Sequence, residues 1–371
     1  MKVFQSLHKY PKHIASFEKR YGINENTEIS FRDLRNLLIE DGFAASYILE
    51  PAFDKDSDEI FYTIWDYERL QKLWATENNL KTEDLLEIKY AQIEYFKPDV
   101  FYDFSAVYYK NFLKRFTLPK SIRKVYWNGF ITAEPFIDQD YDAMITLYRP
   151  FIDFQKRSGI RIFELQPAFL ERLTIFDLDI KPIDLLIYGQ FTEKYFKKRN
   201  AIFTEIVKYS KSSNLKLKLH LDILQKPIIF LRVPFLGNIV FKSFPPKKIL
   251  KYSDRPIFGS ELYSTIGQSK YVLNAFPDHS SGFKSNMRMF ETLNCGSLLI
   301  SEAGSYPEGF VPGKNFIEYQ DLTDLLKKLP EVFSQFKELK DNMHPYVQNV
   351  MITYTKRNQW TRFKSIISQL Y

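Results

Sequence analysis

Cysteine is almost missing from this chain. Cys295 stands alone among 371 residues, so no intrachain disulfide can form and a reducing compartment fits. Histidine is scarce as well. His8, His13, His220, His279 and His344 are the five; none pair at the helical spacing of metal ligands, and one cysteine cannot complete a zinc cluster. No apolar run approaches the length of a membrane-spanning helix, and residues 1–13 lack the apolar core of a secretory signal, so a cytoplasmic protein is expected. The net charge is +7, yet there is no long basic tail, nucleic-acid motif, repeat or low-complexity tract. No nucleic-acid partner is therefore expected. A mildly basic surface suits smaller anions or acidic lipids.

What the chain does have is size, aromatics and rhythm. Its length predicts two domains with sizeable cores. Phe (34) and Tyr (24) are abundant, which suits core packing first and stacking on flat ligands second. Strand and helix signals alternate. Ser30 with Asp33 opens a helix that Gly42 stops, Thr82 opens another that ends before Pro98, and 100–104, 125–127, 144–148 and 160–165 read as short strands. An amphipathic stretch at 151–158 ends at Gly159. After a pause at 172–182, a strand at 183–188, a helix over about 192–209 and a strand at 215–219 restart the pattern. The reading is α/β, with two doubly wound Rossmann-like domains facing a cleft. The expected division is 1–174, 175–350 and a tail helix at 351–371, with Trp360, Phe363, Ile367 and Leu370 on one face.

The most informative segment is 280–302. Gly282 and Ser285 lie in a loop. Met287, Phe290 and Leu293 recur at helical spacing, Gly296 ends the helix, and 297–301 is a short apolar strand. A helix that follows such a loop offers free amides and a positive dipole end, a ready site for a diphosphate. Asn286 and Arg288, near the helix start, are placed to reach phosphate oxygens. Glu291, further along, is placed to accept hydrogen bonds from a ribose diol.

The run Asn286-x-Arg288-x-Phe290-Glu291, followed by Cys295-Gly296 and an apolar strand, resembles the nucleotide-sugar half of GT-B glycosyltransferases. The likeness is nearest to the spore-maturation-type branch, also called glycosyl transferases group 1. It extends through 256–278 and 308–329. The resemblance implies a metal-independent, cofactor-free transfer of a hexose-type sugar from a nucleotide diphosphate sugar to a hydroxyl of a glycan or lipid-linked acceptor. It implies that Glu291 holds the ribose and that 282–286, with Phe283, lies at the donor. It also implies that the tail helix crosses back to the first domain. The sequence departs from the family at 281–283, Ser-Gly-Phe, where many relatives carry a glutamate facing the donor sugar. A non-catalytic nucleotide- or glycan-binding protein of the same fold is the alternative.

Other candidates follow from position. Gly189 ends the first strand of the second domain, where α/β folds bind ligands, with Lys194 and Arg199 just beyond. A fixed cation there would oppose the charge gathering on a leaving diphosphate. His279 precedes the phosphate loop. His8 and His13 are read into the first loop facing the cleft, where a catalytic base would stand. Asp103 and Glu134 are placed on the acceptor side by strand-end position. The D-x-D matches at 138–140 and 177–179 are read as surface turns, without metal. Residues 227–248, apolar with basic flanks, are read as either a buried loop or a peripheral contact with an anionic membrane surface.

Overall fold

The computed structural model describes residues 1–109, 111–192, 196–223, 247–280 and 282–371. Lys194, Ser281 and the stretch 227–246 of the proposed membrane segment lie outside the described residues.

Two all-parallel sheets carry the fold. The first has the order β2-β1-β3-β4-β5-β6, built from β1 (Val3–Leu7), β2 (Ile60–Ile64), β3 (Val100–Asp103), β4 (Arg123–Trp127), β5 (Ala143–Thr146) and β6 (Arg161–Glu164). The second runs β11-β10-β9-β7-β8, from β7 (Ile183–Phe191), β8 (Leu217–Ile223), β9 (Ser269–Asn274), β10 (Leu298–Glu302) and β11 (Ile317–Tyr319). Both sheets reverse direction of travel after their second strand. Each therefore has a topological switch point, between β1 and β3 and between β7 and β9. Ligands of open α/β sheets bind outside the carboxyl ends of the strands at that point. β1, β2, β3, β5 and β10 are buried at every residue, as expected for strands covered by helices on both faces.

The helix ends follow side-chain chemistry. Ser30 accepts a hydrogen bond from the Asp33 amide, and Gly42 closes that helix at φ 81°. The helix predicted from Thr82 begins instead at Leu85. Its cap is Asp84, which accepts from the amides of Leu86 and Glu87, a stronger acceptor nearer the first apolar residue. The predicted 151–158 helix is a 3-10 turn (Arg149–Phe154) followed by a short helix (Gln155–Ser158) that ends at Gly159. The helix after β7 is Lys197–Ser212.

The last helix, Lys356–Ser368, buries Trp360, Phe363, Ile366 and Ile367 in the core of the first sheet. The Lys356 ammonium donates to the Ile48 carbonyl (2.6 Å). The two passages between the halves lie side by side, the Phe169 amide donating to the Tyr354 carbonyl (2.8 Å).

Candidate active site

The halves meet at a cleft of about 390 Å³ lined from both sides. Its second-half wall is made at the switch point of the second sheet. Arg288, in the helix Met287–Asn294, lies across the ends of β7 and β9. One terminal nitrogen donates to the Tyr188 carbonyl (2.8 Å) and the other to Asn274 Oδ1 (2.8 Å). Its guanidinium also stacks on the Tyr188 ring. Gly189 makes that placement possible. Its φ is +126°, and a Cβ there would lie 2.5 Å from an Arg288 nitrogen, so a side chain would expel the arginine.

Arg199, on the neighbouring helix, is only 6% exposed. It packs on Phe196 and Phe203 and donates to the Gln190 carbonyl. Burial, and then the nearby charge of Arg288, pull its pKa down to about 9, with Asp278 pulling back. Among the described residues neither arginine has a carboxylate ion-pair partner, and the Nε of each is buried without a partner. A buried and a half-buried cation, neither held in an ion pair, leave a cost that a bound anion would relieve.

The two helix starts beside them differ. Asp278 accepts from the amides of Lys197 (2.8 Å) and Lys198 (3.1 Å), so a carboxylate already fills that N-terminus. At the Met287–Asn294 helix the cap is Asn286, which accepts only from the Met289 amide (3.2 Å). The Asn286 amide group donates to Asn274 (2.8 Å). Asn286 thus shapes the helix start and has little left for a phosphate. Ser285 is committed too, its hydroxyl donating to Gln166 of the first half (2.6 Å).

Glu291 lies behind this wall, 2% exposed. It accepts from the Tyr188 hydroxyl (2.8 Å) and sits 3.5 Å from that of Tyr263. Burial pushes its carboxyl up to about 7, against the downward pull of Tyr188, Arg288 and Tyr263. Sequence reading missed both tyrosines, since their role depends on a helix about 28 and 103 residues away in the chain.

Several expected residues stand elsewhere. Gly282 is exposed, and Phe283 packs in the core of the first half against Tyr148 and Arg149; neither lines the cleft. The loop is drawn that way by its pairing with Ser305. His279 is exposed in a turn outside the cleft lining. His13 is in the helix Pro11–Tyr21, not a loop, because Pro11 can start a helix at once. It is buried with Nε2 3.0 Å from Asp41, which also binds Arg20 and Ser260. That network joins the halves away from the cleft lining. Asp103 is consumed by Lys89, Ser105 and Tyr141, and Glu134 is exposed. The aspartates of the two D-x-D matches lie in turns at the surface, Asp177 held by Lys181 and Lys340. Among the described residues no His, Cys, Asp or Glu cluster fits a metal ion.

His8 stands beside the cleft. It follows β1 and lines a side chamber of about 250 Å³ that shares Tyr10, Phe43, Tyr47, Gly129 and Phe130 with the main cleft. Burial lowers its pKa, against the pull of Asp66 and Asp103. Its Nδ1 is enclosed without a partner. No helix of the described residues is long and apolar enough to cross a membrane.

Residues 223–349 match the family model described as Glycosyl transferase-like. No match was found among curated protein sequences. The chain is similar to solved structures over nearly its whole length. They include Anabaena HepE in complex with UDP and glucose (TM-score 0.57, 11% identity, 99% of each chain). A glycosyltransferase from Rickettsia africae is another (0.53, 10%, 100% of this chain and 98% of that). A third is sucrose-phosphate synthase from Thermosynechococcus elongatus (0.52, 11%, 100% and 99%). The architecture is that of the GT-B glycosyltransferases, two parallel-sheet α/β domains facing a cleft.

Proposed function

We propose that this chain is a glycosyltransferase that moves a hexose-type sugar from a nucleotide diphosphate sugar to a hydroxyl of a glycan or lipid-linked acceptor, without a metal. One observation carries the reading: buried Arg199 and half-buried Arg288, neither in a carboxylate ion pair among the described residues, stand together at the switch point beside an under-occupied helix N-terminus. Donor binding by relatives of the fold supports it, since Anabaena HepE was solved with UDP-glucose. Within the glycosyl transferases, the run from Asn286 to Gly296 favours the group 1, spore-maturation-type branch.

In this mechanism the residues 175–350 hold the donor and 1–174 the acceptor, with 351–371 closing the first core. The diphosphate lies against both arginines and the first amides of the Met287–Asn294 helix. Glu291, ionised when nucleotide is bound, accepts from the ribose diol. The acceptor oxygen attacks the anomeric carbon and gives its proton to His8. The electron pair of the breaking sugar–oxygen bond passes to the diphosphate, where the arginines meet the growing charge. Contacts that strengthen as charge develops lower the barrier more than they tighten binding.

Calorimetry with a panel of nucleotide diphosphate sugars tests the donor site, and hydrolysis or transfer of the same panel tests the chemistry. Absence of binding by any of them overturns the reading. The loop at 281–283 favours a second one. It has no glutamate, and its described residues Gly282 and Phe283 lie outside the cleft lining, which suits a protein that binds a nucleotide sugar without transferring it. Tight donor binding with no turnover in any acceptor mixture would select that reading. A cytoplasmic protein that touches the membrane through 227–248 completes the proposal. Co-sedimentation with anionic liposomes, lost in high salt, tests it.

A further inference from the structure

The chamber beside His8 has its own chemistry. Its ring walls are Phe43, Phe104, Trp127 and Phe130, and its polar tips come from His8, Tyr10, Tyr47 and Tyr108. Among the described residues no Lys, Arg, Asp or Glu lines it. Gly129 lines both the chamber and the main cleft, and a Cβ there would meet the Trp127 indole nitrogen at 2.6 Å. The charge of the site is thus divided, with both unpaired cations on the donor side and none in the described lining of the chamber.

From this division we infer that the group seated in the chamber is a single neutral sugar ring, presented by its apolar face to the aromatic walls. The inference rests on the donor–acceptor reading of the cleft and adds the class of the acceptor's reacting end. An anionic end, such as a sugar phosphate, would be desolvated there without a counter-charge, which is costly. A purely apolar body would leave the enclosed Nδ1 of His8, which has no partner, with nothing to bond at the rim. A hexose satisfies both demands, offering hydroxyls at its rim and C–H groups on its face. The chamber, about 250 Å³, is smaller than a typical drug-sized pocket and takes one ring, with any further chain extending past Tyr108, which is 65% exposed.

The test titrates the full chain with a panel of methyl hexopyranosides, the matching hexose 6-phosphates and cyclohexylmethanol. Tryptophan fluorescence is followed, and the part of the signal lost in Trp127→Phe reports the chamber. At least one neutral glycoside should saturate that signal, with its 6-phosphate and the alcohol each about tenfold weaker or worse. Tyr108→Lys, a change at an exposed ring, should move the preference toward the phosphate. Equal or tighter binding of the phosphate or the alcohol by the unaltered chain, or silence of every glycoside, overturns the inference. UDP binding measured by calorimetry on the same preparation tests the donor site separately, so failure of one does not masquerade as failure of the other.

Discussion

The two halves share a strand order through their first five strands, yet Lys89 of the first and the cleft arginines of the second are held in opposite ways. Elsewhere the second half pairs its buried Lys181 with Asp177 and Lys284 with Glu302. In the first half, the Lys89 ammonium is fully enclosed and faces Asp103 at 3.4 Å, with Tyr141 and Ser105 completing the carboxylate. In the second, Arg199 and Arg288 are held by carbonyls, an asparagine and ring faces, with no carboxylate ion-pair partner among the described residues. A paired buried charge is finished; an unpaired one waits for something. The difference separates a structural ion pair from a binding site more sharply than burial does, since Lys89 and Arg199 are both buried.

The largest effect should come from breaking the finished pair. Asp103→Ala strands Lys89 and should cost about 3–5 kcal/mol of stability in urea unfolding. Arg199→Met, which keeps the stem and removes the charge, should leave stability unchanged or raise it by about 1 kcal/mol. If both changes destabilise alike, the contrast between the halves collapses.

Next in size is Arg288→Ala. It should lower turnover by about 10²-fold or more while weakening donor binding less, because its contact strengthens as charge develops. Steady-state kinetics beside calorimetry would read the split. A change in binding alone would make Arg288 a ground-state anchor.

Glu291→Ala should weaken nucleotide-sugar binding by about 1.5–3 kcal/mol for each charged hydrogen bond lost. The same carboxyl gives a pH signature. Its pKa rises from 4.5 in an ordinary setting to about 7 in the fold, so the folded state holds the proton more tightly. Stability should therefore fall as pH climbs from about 4.5 to 7 and level off above. Glu291→Gln should flatten that part of the profile, and donor affinity should rise across the same window as the carboxylate forms. An unchanged slope in the variant would mean that Glu291 titrates normally.

The smallest effect expected is none at all: turnover should survive EDTA, with the arginine pair supplying the positive charge. Recovery of a lost rate by manganese or magnesium would reverse this.

Much of the fold was legible because periodicity and caps are local. The helix at 287–294, the Gly296 stop, the Ser30 cap and the strand after 183 all follow from residues a few positions apart. Of the sequence candidates, Arg288 and Glu291 share one helix, and the fold brings Gly189 and Arg199 from a neighbouring strand and helix to the same cleft lining. His13 looked like a loop base because nothing nearby shows that Asp41 and Phe43 will enclose it. Gly282 and Phe283 looked like a ligand loop because the sequence does not reveal that Ser305 draws them aside. The aromatic chamber was invisible for the same reason, its rings arriving from four separate stretches of chain.

The return helix has a consequence in time. Phe363 packs on Tyr102, 5.0 Å between ring centres, inside the core of the first sheet. Translation at about 5–20 residues per second puts on the order of 10–40 s between completion of β6 and appearance of that helix. Through that interval the first half exists with its six strands made and one wall of its core open. A nascent chain of this protein therefore carries an exposed apolar groove whose native filling, the return helix and Phe283, has not been fully synthesised, and the second half must fold while its neighbour is unfinished.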